Sequence, residues 1–571
     1  MTEKLDVIVV GAGLGGLSTA AYLAATGKSV LVLERYSALG GSSHVFQRRG
    51  RWEFDCGVHF VGGCGPGGVV SNIFGGLGLD DRIEWLPMDP TGFDRIIGPD
   101  FELATPFGWD NYLENLLTAF PGERRAVQRY HGTLRRIGEA MDRYSSQGSA
   151  SGLARWVAGA NIAGPLMAVP YSVFLAGCGF SPRATAALSV ECGAFASTPD
   201  EVPTGAMAAY FQDYVAGGSY YPKGGGQMLA AGFAEVVRTH GGQIRTSATV
   251  ERIIIDDGRT QGVELASGER ILAASVVSDA DAIKTFTDLV GLHHLPRIMQ
   301  ERVKRWKMSR PLINGFFAVN HDISHQPNSN YFAIPSWQDA DSNRSLTKLQ
   351  REVSKGEGFS DGISWAREFA DRQPMFVQSS SRRDPSNRRA APVGGSTIEV
   401  QTIVPYSPSL WEYSTDDVES GRYRLGTRYQ EIKKIVLDGM LQRLEQSFPG
   451  ASNNVEFAEL GSPATQERFV GNSGAAPFGL RQTLAQLGPL RAGVKTPIAG
   501  LYAVGTNSPF GPGTVGSMLS GVHAASLITG RDLVGKIRAG GVVSTSTDLP
   551  KWPEGFDPLD ATRSLRSTTT E

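Results

Sequence analysis

Residues 7–35 read VIVVGAGLGGLSTAAYLAATGKSVLVLER, and few folds admit such a segment. Residues 7–10 form an unbroken β-branched run, the pattern of a strand buried on both faces. Gly11, Gly13 and Gly16 follow at once. Ala20, Ala21, Leu23, Ala24 and Ala25 favour a helix, and Gly27 can end it. Residues 29–33 read as a second buried strand, closed by Glu34. This is the order of a dinucleotide-binding βαβ unit. Gly11 permits the tight turn, Gly13 lets the backbone approach a pyrophosphate, and Gly16 lets the helix pack on the strand. The helix opening at Leu14 offers unpaired N–H groups and positive partial charge to phosphates. Glu34 stands where a ribose 2′-OH needs an acceptor, and its charge disfavours the 2′-phosphate of NADP.

A second G-x-G-x-x-G, at Gly63, Gly65 and Gly68, lacks this context. Pro66 removes an N–H, and no strand ending in an acid follows, so it reads as a turn. The 571 residues, 41% of them hydrophobic, suffice for two or more connected domains. A net charge of −2 argues against a nucleic-acid partner. Cys56, Cys64, Cys178 and Cys192 show no C-x-x-C spacing, so neither a metal site nor a disulfide framework is expected. A fingerprint so near the first residue, without a signal peptide, points to a cytosolic chain.

Residues 156–180, WVAGANIAGPLMAVPYSVFLAGCGF, contain no charge. Trp156, Leu166, Met167, Val169, Tyr171, Val173, Phe174 and Leu175 give the stretch its apolar mass. Its length would span a bilayer, but Pro165 and Pro170 break a helix. Three readings stand: a buried core segment, an interfacial segment at the mouth of a lipid tunnel, or a spanning helix. The second leads to peripheral, one-leaflet attachment, flanked by Arg155 and Arg183.

Further along, Val127, Tyr130, Leu134, Ile137 and Met141 recur at helical steps. Residues 227–238 read as a helix. Strands are expected over 244–246, 249–255 and 262–265, with Asp256, Asp257 and Gly258 as a turn. Ile432, Ile435, Val436, Met440 and Leu444 mark a further helix, and residues 339–362 a polar surface excursion. The nucleotide-binding framework is therefore visited three times, at 1–105, 218–290 and 456–535. A helical substrate- or membrane-facing region (106–217) and a substrate region (291–455) lie between. The Ser/Thr-rich tail, 536–571, is expected to be disordered. The fold class is α/β: a doubly wound Rossmann-like domain interleaved with an α+β substrate domain. Such interleaving argues against a simple NAD dehydrogenase.

Four segments in this order resemble the phytoene desaturase, carotenoid isomerase and retinol saturase family of FAD-dependent oxidoreductases. They are the N-terminal fingerprint through residue 46, YYPKGGGQMLAAGFAEVVRTHGGQIRTSATVERII, SVVSDADA and GLYAVGTNSPFGPGTVGSMLSGVHAA. The resemblance implies FAD as cofactor, held by Gly11, Gly13, Leu14, Gly16, Glu34 and Arg35. It passes Gly40, Gly41, Ser42 and Ser43 beneath the pyrophosphate and flavin. It puts the Val250 backbone at the adenine, and Gly505 and Thr506 at the ribitol–pyrophosphate. Relatives often carry Asp where Thr506 stands. Gly513, Thr514 and Val515 would open a helix aimed at the flavin N1 edge. Reduced flavin is anionic there, and a helix N-terminus favours that charge.

The resemblance also implies chemistry at C=C or adjacent C–C bonds of a long isoprenoid, such as a carotenoid or retinoid. That chemistry would be desaturation, saturation or cis–trans isomerisation. Two alternatives are a flavin oxidase or isomerase of another lipid or an amine, and a non-catalytic lipid-binding flavoprotein. His59, Asp55 and Tyr220 are the candidate acid–base groups. A packed, hydrogen-bonded histidine is the plainer account of His59. No Ser/His/Asp set or metal cluster stands out, so the flavin would carry the chemistry.

Overall fold

The computed structural model describes residues 4–145, 159–341, 356, 358–487 and 490–563. Two seven-stranded sheets dominate it. The first sheet contains β1 (Leu5–Val10), β2 (Val30–Leu33), β3 (Gln243–Arg245), β4 (Val250–Asp256), β5 (Arg259–Leu265), β6 (Arg270–Ser278) and β7 (Leu501–Ala503). Its order is β3–β2–β1–β6–β5–β4, with β7 also paired to β6. The β3, β2, β1, β6 and β7 pairings are parallel, as the continuous apolar runs of β1 and β2 require. The β4–β5 hairpin turns at Asp257 (φ 42°) and Gly258 (φ 68°), both left-handed as a tight hairpin demands.

Four helices matter for the site: α1 (Leu14–Ala25), α2 (Arg124–Ser145), α3 (Arg297–Arg305) and α4 (Gly513–Thr529). Helices α1 and α4 cross at very close range. A Cβ on Gly521 would lie 2.0 Å from Ser18 Oγ and 2.4 Å from the Gly15 carbonyl. Ser18 Oγ donates to the Met518 carbonyl (2.9 Å), closing the contact.

The second sheet runs Val455–Gly461, Leu312–Val319, Ser396–Ile403, Met375–Gln378, Asn330–Ala333, Asp94–Gly98, Phe101–Thr105. Two expected boundaries shift in consequence. Asp94–Gly98 pairs in parallel with Asn330–Ala333, so the chain leaves the nucleotide-binding layer before residue 94 rather than at 105. Val455–Gly461 pairs with Leu312–Val319, so the return comes after 461. The expected helices form at Gln227–Thr239 and Thr427–Ser447, the latter burying Ile432, Val436, Met440 and Leu444.

The tail differs from expectation up to residue 563. Leu549, Leu559 and Thr562 are buried, and Trp552 stacks on Phe556 at 4.2 Å. Gln227 Nε2 donates to Thr562 Oγ1 (2.7 Å), and Leu39 N–H donates to the Thr562 carbonyl (2.9 Å). Four apolar anchors in a polar sequence suffice to dock it. Residues 564–571 lie outside the described residues.

Residues 156–180 resolve largely into core. Tyr171, Phe174 and Leu175 are buried against Tyr130 of α2, whose hydroxyl shares a 2.9 Å hydrogen bond with that of Tyr171. Met167 is buried as well, while Pro165, Ala168, Val173 and Ala176 face outward. Trp156 lies outside the described residues, as does most of the expected excursion at 339–362. No helix among the described residues is long and apolar enough to cross a membrane.

Candidate active site

Gly11 leaves β1 at φ 97°, in left-handed backbone that a side chain rarely tolerates. A Cβ on Gly16 would meet the Gly11 carbonyl at 2.3 Å, so α1 can sit on the strand only without one. Gly40 N–H donates to the Ala12 carbonyl (2.8 Å), and a Cβ on Gly41 would lie 3.1 Å from Gly13 Cα. The stretch Gly40–Ser43 is thereby laid against the glycine turn, with Ser43 Oγ donating to the Gly40 carbonyl (2.7 Å). Gly505 (φ 85°) presses on α1 from β7, within 2.7 Å of a Cβ on Gly15.

Glu34 is buried and bound to the backbone. It accepts from Ala12 N–H (2.8 Å) and Tyr36 N–H (2.7 Å), and burial raises its pKa. The Glu34 carbonyl accepts from Ala248 N–H (2.8 Å), which brings the start of β4 at Val250 beside it. Arg35 points elsewhere, donating to the Arg468 carbonyl (3.0 Å). The Thr506 carbonyl accepts from the buried Arg491 (2.7 Å).

Asp279, absent from the sequence reading, stands directly over the glycine turn. Its carboxylate is directed at the N–H groups of Gly13 and Gly16, and burial lifts its pKa to about 7. A Cβ on Gly13 would sit 2.5 Å from it. The motif SVVSDADA held the signal, since β6 ends beside β1 and must deliver the next residue to that turn.

From this cradle a cavity of about 2120 Å³ extends to the surface. Ser42, Gly513, Thr514 and Val515 line its inner part, where α4 opens behind Pro512 with no side-chain cap. Phe46, Phe60, Phe316, Phe332, Met375 and Phe376 supply apolar wall. It exceeds the few hundred to thousand Å³ usual for small-ligand pockets.

One polar patch of the wall centres on His59. His59 is held between two amides: Gln378 Nε2 donates to Nδ1 (2.8 Å), and the Gln401 amide lies 2.5 Å from Nε2. Burial, with Arg383 nearby, pushes the His59 pKa down to about 3, so the ring is neutral. Gln378 Nε2 also donates to Glu399 (2.6 Å), whose pKa burial and the neighbouring Asp55 push up to about 8. Asn314, in register with Gln401 on the adjacent strand, donates from Nδ2 to the Cys56 carbonyl (2.9 Å). Its Oδ1 is buried with no partner. Cys56 Sγ lies 3.3 Å from His44 Nε2, and His44 Nδ1 donates to the Gly41 carbonyl (2.6 Å). Burial raises the thiol well above its ordinary range.

The three sequence candidates part company here. His59 and Tyr220 line the cavity, the Tyr220 hydroxyl lying over Gly65 and Gly218. Asp55 turns away from it, accepting from Tyr221 Oη and from Gly226 N–H (3.1 Å), and burial pushes its pKa up to about 6. It ties Trp52–Asp55 to the start of the Gln227–Thr239 helix.

Residues 9–77 match the model of an NAD(P)-binding Rossmann-like domain. The chain is 24% identical to an all-trans-retinol 13,14-reductase of Danio rerio, covering 93% of this chain and 87% of the relative. It is 25% identical to the chloroplastic prolycopene isomerase 2 of an Oncidium hybrid cultivar, over 92% and 83%. These similarities, each over more than nine-tenths of the chain, support its assignment to the phytoene desaturase, carotenoid isomerase and retinol saturase family. The chain is an oxidoreductase of the FAD-dependent type. Its two-layer fold is that of cyclohexylamine oxidase from Brevibacterium oxydans, with a TM-score of 0.57 at 17% identity, over 92% and 99% of the two chains.

The residues fit a flavin dinucleotide. The left-handed turn at Gly11, the close approach of Gly40–Ser43 to it and the uncapped starts of α1 and α4 form a backbone cradle for phosphates and an anionic ring edge.

Proposed function

We propose that this enzyme binds FAD and exchanges hydride with a C=C or adjacent C–C bond of a long neutral isoprenoid whose polar end is a hydroxyl. Gly11, Gly13, Leu14 and Gly16 would hold the pyrophosphate, Glu34 the ribose, and Gly513–Val515 the flavin edge. Bound flavin supplies the hydride chemistry. The chain's own residues position the substrate and exclude water along an aromatic wall.

The observation that carries the hydroxyl is the orphaned Asn314 Oδ1. A neutral His59 that accepts at Nδ1 keeps its proton on Nε2. The Gln401 amide then turns its oxygen to the ring and its NH2 to the cavity, since amide orientation follows the hydrogen-bond network. Acceptor and donor stand side by side on neighbouring strands, the complement of an O–H group. Burial keeps His59 uncharged, so the patch offers no cation to a carboxylate. Retinol, named in one group of relatives, carries such a hydroxyl; prolycopene, a hydrocarbon, does not.

The test has two parts. Denaturation of the purified holoprotein is expected to release FAD; a colourless supernatant, or released NAD, would overturn the cofactor. Anaerobic mixing with polyene alcohols is expected to change the flavin absorbance and yield a product altered at a double bond. A flavin indifferent to every polyene tried would favour a lipid-binding flavoprotein.

A further inference from the structure

We infer that the face formed by α3, residues 481–487 and Leu490 docks on an anionic lipid bilayer and sets one mouth of the cavity against it. The inference rests on the proposed apolar substrate. Such a molecule enters from lipid rather than from water, so a cavity mouth must meet a lipid surface.

The cavity wall is exposed in several places, two of which bear on entry from lipid. At one, Pro165 and Ala168 line the cavity and face outward. The charges around it are matched: Arg183 pairs with Asp341 (2.6 Å) and Asp100 (3.2 Å), and Arg372 pairs with Asp339 (2.7 Å). These pairs offset one another, although Arg129 of α2 is exposed close to Cys178.

The other region differs in both respects. Leu484 and Leu490 are 45% and 54% exposed while lining the cavity, and Leu487 lines it between them. Beside them runs α3. Arg302 donates to the Leu490 and Arg491 carbonyls. Gln486 Oε1 accepts from Lys307 N–H (2.7 Å), and its Nε2 returns a bond to the Lys307 carbonyl (2.8 Å). Helix and leucine segment thus form one surface. Ile298, 87% exposed, stands on it with no apolar neighbour to cover it. Between residues 297 and 307 the sequence carries Arg297, Arg302, Lys304, Arg305 and Lys307 against a single acid, Glu301. Glu301 is already paired with Lys304 (2.9 Å).

The chain as a whole has a net charge of −2, so this concentration of positive charge is local. Exposed aliphatic side chains ringed by cations match the two attractions of an anionic interface, apolar insertion and charge. A soluble acidic partner would use the cations but leave Ile298 and the mouth leucines without a purpose.

The experiment is flotation of the holoprotein with vesicles of phosphatidylcholine alone or mixed with phosphatidylserine. Binding is expected only with phosphatidylserine, and it should weaken as salt is raised. The variant R297E/K304E/R305E should lose binding by roughly a hundredfold, about five-fold per cation. Ile298→Gln should weaken binding without abolishing its salt dependence. Val173→Gln, an exposed apolar residue on the Tyr171–Cys178 helix, should float as the parent does.

A parent protein that ignores phosphatidylserine vesicles overturns the inference. So does a triple variant that binds undiminished, or loss of binding in Val173→Gln alone. Cross-linking of α3 to an acidic protein in place of lipid would assign the face to a protein partner. None of the three reversed residues lines the cavity, so flavin content and turnover of polyene in detergent micelles should persist in the triple variant. Absence of micellar turnover in the parent would sink the proposed reaction while leaving the vesicle result to decide the docking face.

Discussion

Asn314→Leu puts the hydroxyl reading at risk. The side chain makes one bond, to the Cys56 carbonyl, and leaves one acceptor without a partner. Leucine strands the Cys56 carbonyl, at a cost of about 1–3 kcal/mol, and removes a buried orphan of similar cost. The two nearly cancel, so stability should change by less than about 1 kcal/mol. Ligand preference should not cancel. An alcohol loses its acceptor, while a hydrocarbon no longer has to leave Oδ1 unsatisfied. Both effects act in one direction, and relative affinity should swing toward the hydrocarbon by about 2–3 kcal/mol, roughly 30- to 150-fold. Quenching of protein fluorescence by a polyene alcohol and by its hydrocarbon counterpart measures both dissociation constants. A variant with full flavin content, parental melting temperature and an unchanged preference would refute the reasoning.

Glu34→Arg removes the acceptor shared by Ala12 and Tyr36 and adds a cation at the proposed ribose site. Flavin affinity should fall by about 1–3 kcal/mol, read by fluorescence titration of the apoprotein with FAD. Glu399 has its pKa raised from 4.5 to about 8. The folded state therefore holds a proton that the unfolded state has released, and the group's contribution to stability falls as pH rises between those values. Its slope approaches about 1.4 kcal/mol per pH unit. Glu399→Gln should flatten that part of the stability–pH curve in thermal melts, and a parallel curve would argue against the shift. Leu559→Ala should cost about 2–5 kcal/mol and loosen the cradle, because Thr562 reaches both Leu39 and Gln227 from the same short helix; hydrogen exchange at Leu39 reports it.

The glycine turn was readable because all its parts lie within one short segment and each glycine has a local reason. The polar patch was not. Asn314 and Gln401 become neighbours only through strand register, and nothing near either residue in the sequence announces the other. His59 was singled out, but its neutrality comes from burial and Arg383 and its hydrogen bonds from Gln378 and Gln401, all three residues more than 300 positions away. Asp55 looked equivalent to His59 in sequence, yet it ends the strand Trp52–Asp55 and is held by Tyr221 and Gly226, whereas His59 lies in the bend that follows. The charge-free stretch at 156–180 left three readings open for a related reason. A helix that packs on Tyr130 and one that lies in lipid share a composition, and only the packing partner tells them apart. The tail was misread because composition averages away a few well-spaced anchors.

The pairing of β1 with β6, and of β6 with β7, has a consequence for biosynthesis. The ribosome delivers the glycine turn first, but its far wall at Gly505 arrives some five hundred residues later. Until then α1 lacks the helix that locks against Gly15 and Ser18. A nascent chain, or a fragment ended before residue 501, holds the phosphate loop without the clamp around it. Closure of the cradle is thereby deferred to the end of synthesis.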